Sequence, residues 1–166
     1  MVTDGIQDKT LVLSKEEKWI FSLKPKTFST WFIDRLQIFR VLYFSVSMGT
    51  IIVALFYNLL QKYSLEKAIT ITFLSIIVMQ WAHGWQAVRE LPFFYNMLEN
   101  FKANPYIFTI TTFIGLPIQV AIIYFFPDFL HCVQISFKDW MYPFLVFVIA
   151  FFLIEIRKWF EFLLFK

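Results

Sequence analysis

The chain has 166 residues, of which 59% are hydrophobic and 22% are aromatic, and its mean hydropathy is +0.64. This composition excludes an ordinary soluble domain and indicates a multi-pass membrane protein. The formal net charge of +3 comes from charged residues gathered into a few segments, and their placement indicates membrane topology rather than an acidic partner such as nucleic acid. The single cysteine, Cys132, excludes an internal disulfide.

The first 38 residues form a polar, basic segment without a long apolar run. Asp4, Asp8 and Lys9 already interrupt its beginning, so this segment is not a secretory signal peptide. We treat residues 1–38 as one unit and residues 39–166 as a second unit, the membrane domain. Residues 1–14 are expected to form a poorly ordered or amphipathic segment.

Four apolar stretches follow, at residues 39–60, 68–88, 106–126 and 142–159. A hydrocarbon core about 30 Å thick needs roughly 20 apolar residues in a helix, and each stretch is close to that length. The sequence therefore predicts an all-α membrane protein with four transmembrane helices. Pro117 lies inside the third stretch, where we expect a kinked helix rather than a loop.

The distribution of Lys and Arg predicts the orientation of these helices. Most of the basic residues lie before the first stretch, between the second and third stretches, or at the C-terminus. The two opposite loops hold only Lys62, Lys67 and Lys138. By the positive-inside rule, both the N- and the C-terminus should face the cytoplasm.

The second stretch carries a stripe of polar side chains. At 100° per residue these side chains fall within an arc of about 140°. They are Thr72, Ser75, Gln80, His83 and Gln86. Polar groups at this depth are costly in lipid, so the stripe should face other helices or a watery cavity. It could serve either as hydrogen-bonding contacts between helices or as part of a cation site, because Gln80 offers a carbonyl oxygen suited to a hard cation.

The sequence around this stripe resembles a known family. Residues 73–94, FLSIIVMQWAHGWQAVRELPFF, are similar to the eighth transmembrane helix of P-type cation-transporting ATPases and the loop after it. The elements that follow keep the family's order. They are Asn-Pro at 104–105, YFFPDF at 124–129, Lys-Asp-Trp at 138–140 and EIRK at 155–158.

The opening residues resemble the sixth helix of the same pumps, which carries the cation-binding turn N-x-V-T-D-G. VTDG at 2–5 matches this turn, so the resemblance assigns ion-coordinating positions to Thr3 and Asp4. It also places Gln80 where the family has a Glu or Gln ligand and His83 where it has an Asn or Asp. Asp8–Lys9–Thr10 does not match the phosphorylation signature D-K-T-G-T, because Leu-Val-Leu follows it.

The resemblance thus covers the chain from the middle of the sixth helix to the end of the tenth. It implies the C-terminal membrane domain of a P-type pump, which supports cation transport and contributes part of the cation site. Within these 166 residues there is no phosphorylation signature, no T-G-E-S actuator motif and no Gly-rich phosphate loop. We therefore expect no ATP hydrolysis by this chain on its own, and no bound cofactor other than a transported monovalent or divalent cation.

Several alternatives remain open. The chain could be part of a split or truncated pump, or a standalone four-span protein that regulates another membrane protein. A small dimeric exporter is disfavoured because residues 39–60 contain no acidic side chain. The expected partners are the lipid bilayer and the remaining helices and cytoplasmic domains of a pump, or another membrane protein. The expected location is the plasma membrane.

Overall fold

The fold is a bundle of long helices. A computed structural model describes residues 9–14, 35–127 and 132–164. Its helices are α1 (Arg35–Leu60), α2 (Leu65–Ala87), the short α3 (Met97–Ala103), α4 (Pro105–Phe125) and α5 (Met141–Leu164). The described ranges contain no strand, and four of the helices are long and apolar enough to cross a membrane. The prediction of an all-α membrane protein with four spans is confirmed.

Helix α2 lies at the centre of the bundle. It packs most extensively against α5 and also contacts α1 and the start of α4. Twelve of its residues are buried, whereas Met48 and Leu59 are the two buried residues of α1. Most of the surface of α1 is therefore left for contacts outside the described part of the chain.

The third span contains a π-helical segment at Thr111–Gly115, directly before Leu116 and Pro117. The N–H of Leu116 donates to the carbonyl oxygen of Thr111, five residues earlier. Pro117 has no N–H to donate and its ring would crowd the preceding turn, so a local change of hydrogen-bond register lets the helix continue. The expectation that the helix passes through Pro117 without becoming a loop is confirmed, and the local irregularity is a π segment.

Asn104 holds two parts of the chain together at the start of α4. Its side-chain oxygen accepts a hydrogen bond from the N–H of Ile107, as an N-cap residue does. Its amide nitrogen donates to the carbonyl oxygen of Thr10 at 2.6 Å and to Ser14 Oγ at 2.8 Å. Residues 9–11 form a helical turn, so this portion of the N-terminal segment is docked on the bundle.

Candidate cation site

The polar stripe on α2 divides into two halves. Thr72, Ser75 and Gln86 are buried within the described bundle, whereas Gln80 and His83 are exposed. The stripe was expected to face other helices or a watery cavity, and within the described residues its buried half faces other helices. The stripe lies across the boundary between the side of α2 that packs on its neighbours and the side that does not.

Gln80 and His83, the exposed half of the stripe, lie in the C-terminal part of α2. Gln80 and His83 lie on the same side of the helix as the exposed apolar residues Ile69 and Phe73. The ring of His83 packs against Phe44 of α1, with ring centroids 4.2 Å apart. This exposed α2 face is therefore continuous with the surface of α1.

A small cavity of about 240 Å³ adjoins His83 between α1, α2 and α5. Its walls include Arg40, Tyr43, Phe44 and Arg157. Both guanidinium groups are paired with carboxylates, and the described residues that line this cavity include no Asp or Glu side chain that could serve as a ligand for a metal cation.

The four residues that the resemblance assigns to a cation site are only partly placed. Thr3 and Asp4 lie outside the described residues, so their relation to Gln80 and His83 stays a prediction. Among the residues that the structure describes, no group of three or more His, Cys, Asp or Glu side chains could hold a metal ion. Gln80 and His83 therefore supply at most two ligands of a site.

The buried half of the stripe belongs to a hydrogen-bonded cluster near the end of α2. The side chain of Gln86 is 1% exposed, and its amide nitrogen donates to Glu155 Oε2 of α5 at 3.0 Å. Glu155 is 3% exposed and also accepts hydrogen bonds from the backbone N–H groups of Phe93 and Phe94 at 2.8 and 3.0 Å. The indole N–H of Trp159 donates to the second carboxylate oxygen at 3.1 Å.

Lys158 adds a positive charge to the cluster around the Glu155 carboxylate. Its ammonium group is one helical turn from Glu155 and donates to the carbonyl oxygens of Gln86, Arg89 and Leu91. A helix leaves its last carbonyls without intrahelical partners, and a cation at that end is favoured by the helix dipole. Glu155 and Lys158 together hold the segment that connects α2 to α3, and we call these two residues with Gln86 the loop clamp.

A second charged cluster lies at the same end of the bundle. The guanidinium of Arg40 on α1 makes two-pronged contacts with Glu161 of α5, the shortest at 2.6 Å, and reaches Glu90 at 2.7 Å. Arg157 also pairs with Glu161. These ion pairs connect α1, α5 and the segment after α2 beside the His83 cavity.

The opposite end of the bundle has its own polar contacts. Lys67 of α2 pairs with Asp139 at 2.8 Å and lies over the ring of Tyr63. Tyr63 lies in the turn between α1 and α2, and hydrogen bonds with Tyr142 and Asp139 raise the pKa of Tyr63 to about 12. These contacts fasten the end of the bundle that is distant from His83.

Comparison with protein families gives an identification. A family model described as cation transporting ATPase, C-terminus, matches residues 1–160. The chain belongs to this family. A comparison with curated protein sequences gives no match. The cation-transporting ATPase C-terminal family is the membrane part of P-type cation ATPases, so the resemblance seen in the sequence is confirmed. With its four membrane-capable helices, this family member is an integral multi-pass membrane protein.

Sequence reasoning missed the loop clamp of this family member. In the sequence, Glu155 and Lys158 stand out only as part of the EIRK stretch that resembles the family. Their spacing of three residues places both on one side of α5, and this signal was available. Apart from Trp159, their partners lie at 86–94, at least 60 residues away along the chain, and only the tertiary structure brings them together.

Proposed function

We propose that this chain is the C-terminal membrane part of a P-type cation pump and that its exposed α2 face, with Gln80 and His83, packs against the pump's ion-binding helices. Whether those helices are on the same polypeptide or on another one does not affect this proposal. In this arrangement Gln80 contributes a carbonyl oxygen and His83 a neutral imidazole to a cation site that Thr3 and Asp4 help to complete.

The exposure of Gln80 and His83 at bilayer depth is the observation that supports this proposal most. Polar side chains at that depth are favoured to meet protein or a water-filled cavity rather than acyl chains. Within the described residues Gln80 and His83 are exposed, whereas Gln86 is almost completely buried. Membership in the cation ATPase family supplies the kind of partner that would cover it.

The proposal assigns different tasks to the two halves of the pump. ATP binding, phosphorylation and dephosphorylation belong to the cytoplasmic domains, and this chain does not hydrolyse ATP alone. The bundle around α2 and α5 braces the ion-binding helices. Both termini face the cytoplasm, as the basic residues near Arg40 and Arg89 favour, and the pump works in the plasma membrane.

Site-specific photo-cross-linking tests the proposed contact. A photoreactive amino acid at position 80, introduced into the protein in its native membrane, should cross-link to a polypeptide segment that also belongs to a D-K-T-G-T-containing pump. The matched control is the same amino acid at position 145 on the exposed surface of α5. Mass spectrometry of the cross-linked peptides identifies the partner segment.

The outcomes separate the proposal from its alternative. Cross-links from position 80 to a pump segment support the proposal if position 145 gives none to that segment. Cross-links to a membrane protein without the phosphorylation motif would contradict it and favour a standalone regulator. Cross-links from position 80 to lipid alone would also contradict it.

A further inference from the structure

A long apolar groove lies on the side of the bundle away from Gln80 and His83. It runs between α4 and α5, with Val78, Trp81 and Trp85 of α2 at its base, and has a volume of about 570 Å³. Leu116 and Val120 form one wall, and Phe144 and Phe147 form the other. The π segment of α4 borders the groove through Thr111 and Thr112.

The groove presents hydrocarbon rather than hydrogen-bonding groups. The hydroxyl of Thr111 donates to the carbonyl oxygen of Ile107, and that of Tyr124 donates to the carbonyl oxygen of Ile135. The indole N–H of Trp140 donates to the Tyr124 hydroxyl at 3.1 Å. These polar atoms are already engaged, and the indole N–H of Trp85, which has no hydrogen-bond partner within the described residues, is itself buried, so ordered water would find few partners here. Leu116 and Phe144 in its walls are exposed, so the groove opens to the outside of the bundle.

The length of the groove corresponds to one leaflet of a bilayer. From Thr111 to Tyr124 a helix rises about 20 Å, and from Phe137 to Phe147 it rises about 15 Å. Half of a hydrocarbon core is about 15 Å thick. The length and the apolar lining of the groove match a single extended acyl chain.

One end of the groove is next to a basic residue in the sequence. Phe137 and Trp140 line this end, and Trp140 is a residue typical of the membrane interface. Lys138 lies between them in the sequence and is exposed. The neighbouring acidic side chain, Asp139, is buried and paired with Lys67, so it does not neutralise Lys138 directly.

We propose that the groove between α4 and α5 binds one acyl chain of a glycerophospholipid, whose phosphate contacts Lys138. This proposal is independent of cation transport, because it requires only that the chain crosses a bilayer. The bound lipid would fill the space between α4 and α5, which have few contacts with each other, and would support the packing of α4 on α2.

Native mass spectrometry of the detergent-purified protein, titrated with phosphatidylglycerol, tests the acyl-chain part. Leu116→Trp fills the groove and should reduce lipid retention by about tenfold. The matched control Leu42→Trp changes an exposed leucine of α1 and should leave retention within about twofold. Equal retention by both variants, or a groove-dependent dimer in place of a lipid adduct, would overturn the proposal.

A second measurement does not depend on the fold of the Leu116 variant. Phosphatidylglycerol with bromine near the end of its acyl chain should quench tryptophan fluorescence at the base of the groove. Replacing Trp81 and Trp85 together by Phe should remove most of that quenching, whereas replacing Trp159 at the other end of the bundle should not. Quenching that is unchanged in the variant with both Trp81→Phe and Trp85→Phe would contradict an acyl chain in the groove.

A parallel titration with a diacylglycerol that has the same acyl chains as the phosphatidylglycerol, but no phosphate, tests the phosphate contact. Wild-type protein should retain phosphatidylglycerol several-fold better than diacylglycerol, and Lys138→Gln should lower that preference by about fivefold. Retention of diacylglycerol itself should not change in this variant. If the wild type retains both lipids equally, the contact between phosphate and Lys138 is wrong.

Discussion

The two halves of the polar stripe on α2 have different surroundings, although they lie on one helix and within one arc. Gln86 reaches a carboxylate and is covered by α5, whereas Gln80 and His83 are exposed. Burial of a hydrogen-bonded polar group contributes to the stability of the fold. An exposed polar side chain in a membrane-capable helix favours contact with other protein or with a water-filled cavity. The comparison predicts that substitutions at the buried contacts change stability most, and the following substitutions test that prediction.

The largest expected effect is at the centre of the loop clamp. Glu155→Ala removes the acceptor for two backbone N–H groups, the Gln86 amide and the Trp159 indole, and it leaves Lys158 as a buried cation without its acidic neighbour. Removing one partner of a buried charged network costs about 3–5 kcal/mol of the free energy of unfolding. Denaturant-induced unfolding of the detergent-solubilised protein measures this loss of stability.

Glu99→Ala is the matched control for Glu155→Ala. Glu99 lies on α3 with an exposed side chain, and its contact with Arg89 spans 3.5 Å. Its replacement should change the free energy of unfolding by less than about 1 kcal/mol. If both alanine variants lost the same small amount, the loop clamp would not be a stabilising feature.

Lys158→Met should have the next largest effect. The methionine keeps an apolar stem of similar length but leaves the carbonyl oxygens of Gln86, Arg89 and Leu91 without their donor. We expect a loss of about 2–3 kcal/mol, the range for hydrogen bonds from a charged group. Lys102→Met at the same end of the bundle is exposed and should cost little. Hydrogen exchange at 88–96 should increase in the Lys158 variant and not in the Lys102 variant.

Arg40→Ala should show a smaller effect that depends on salt. The Arg40 side chain is 27% exposed in its pairs with Glu90 and Glu161, so water and ions partly screen them. We expect a loss of about 1–2 kcal/mol at low salt, because the contact with Glu161 is two-pronged. The loss should shrink in 1 M salt. A double-mutant cycle with Glu161→Ala measures the coupling, and a coupling that is unaffected by salt would contradict this explanation.

Two glycines distinguish the packed interior from the open surface. A Cβ atom added to Gly115 would lie 3.0 Å from the buried ring of Trp81, whereas one added to Gly49 on α1 would meet nothing within 4 Å. Gly115→Ala should therefore destabilise the protein by about 1 kcal/mol. Gly49→Ala should be neutral or stabilise it by up to about 1 kcal/mol, because alanine favours a helix. The same sign of change in both variants would contradict the assignment of the two surfaces.

The sequence predicted the four spans well, because twenty apolar residues between polar segments leave few alternatives. The predicted stretch at 39–60 lies within α1, and the stretch at 68–88 nearly coincides with α2. Pro117 indicated an irregular third span. The proline did not by itself predict the form of this irregularity, because a kink and a π segment both let a helix continue past a proline.

The candidate site was harder to predict than the spans. A helical wheel places Gln80, His83 and Gln86 on one side of α2, but it does not tell which neighbouring helix covers each residue. The coverage depends on α5, which packs along α2 and carries Glu155 about 70 residues away in the sequence. The resemblance to the pump family indicated Gln80 and His83, and the physical pattern alone did not distinguish them from the structural Gln86.

The most direct test of the central claim compares Gln80→Ala with the wild-type protein in two assays. The account predicts that the free energy of unfolding of the purified chain changes by less than about 0.5 kcal/mol, because the residue is exposed. It also predicts that cation-stimulated ATP hydrolysis by the pump assembly, isolated from native membranes, falls by about tenfold. A stable variant whose assembly keeps the wild-type response to cations would contradict the claim that this face of α2 contributes to the cation site.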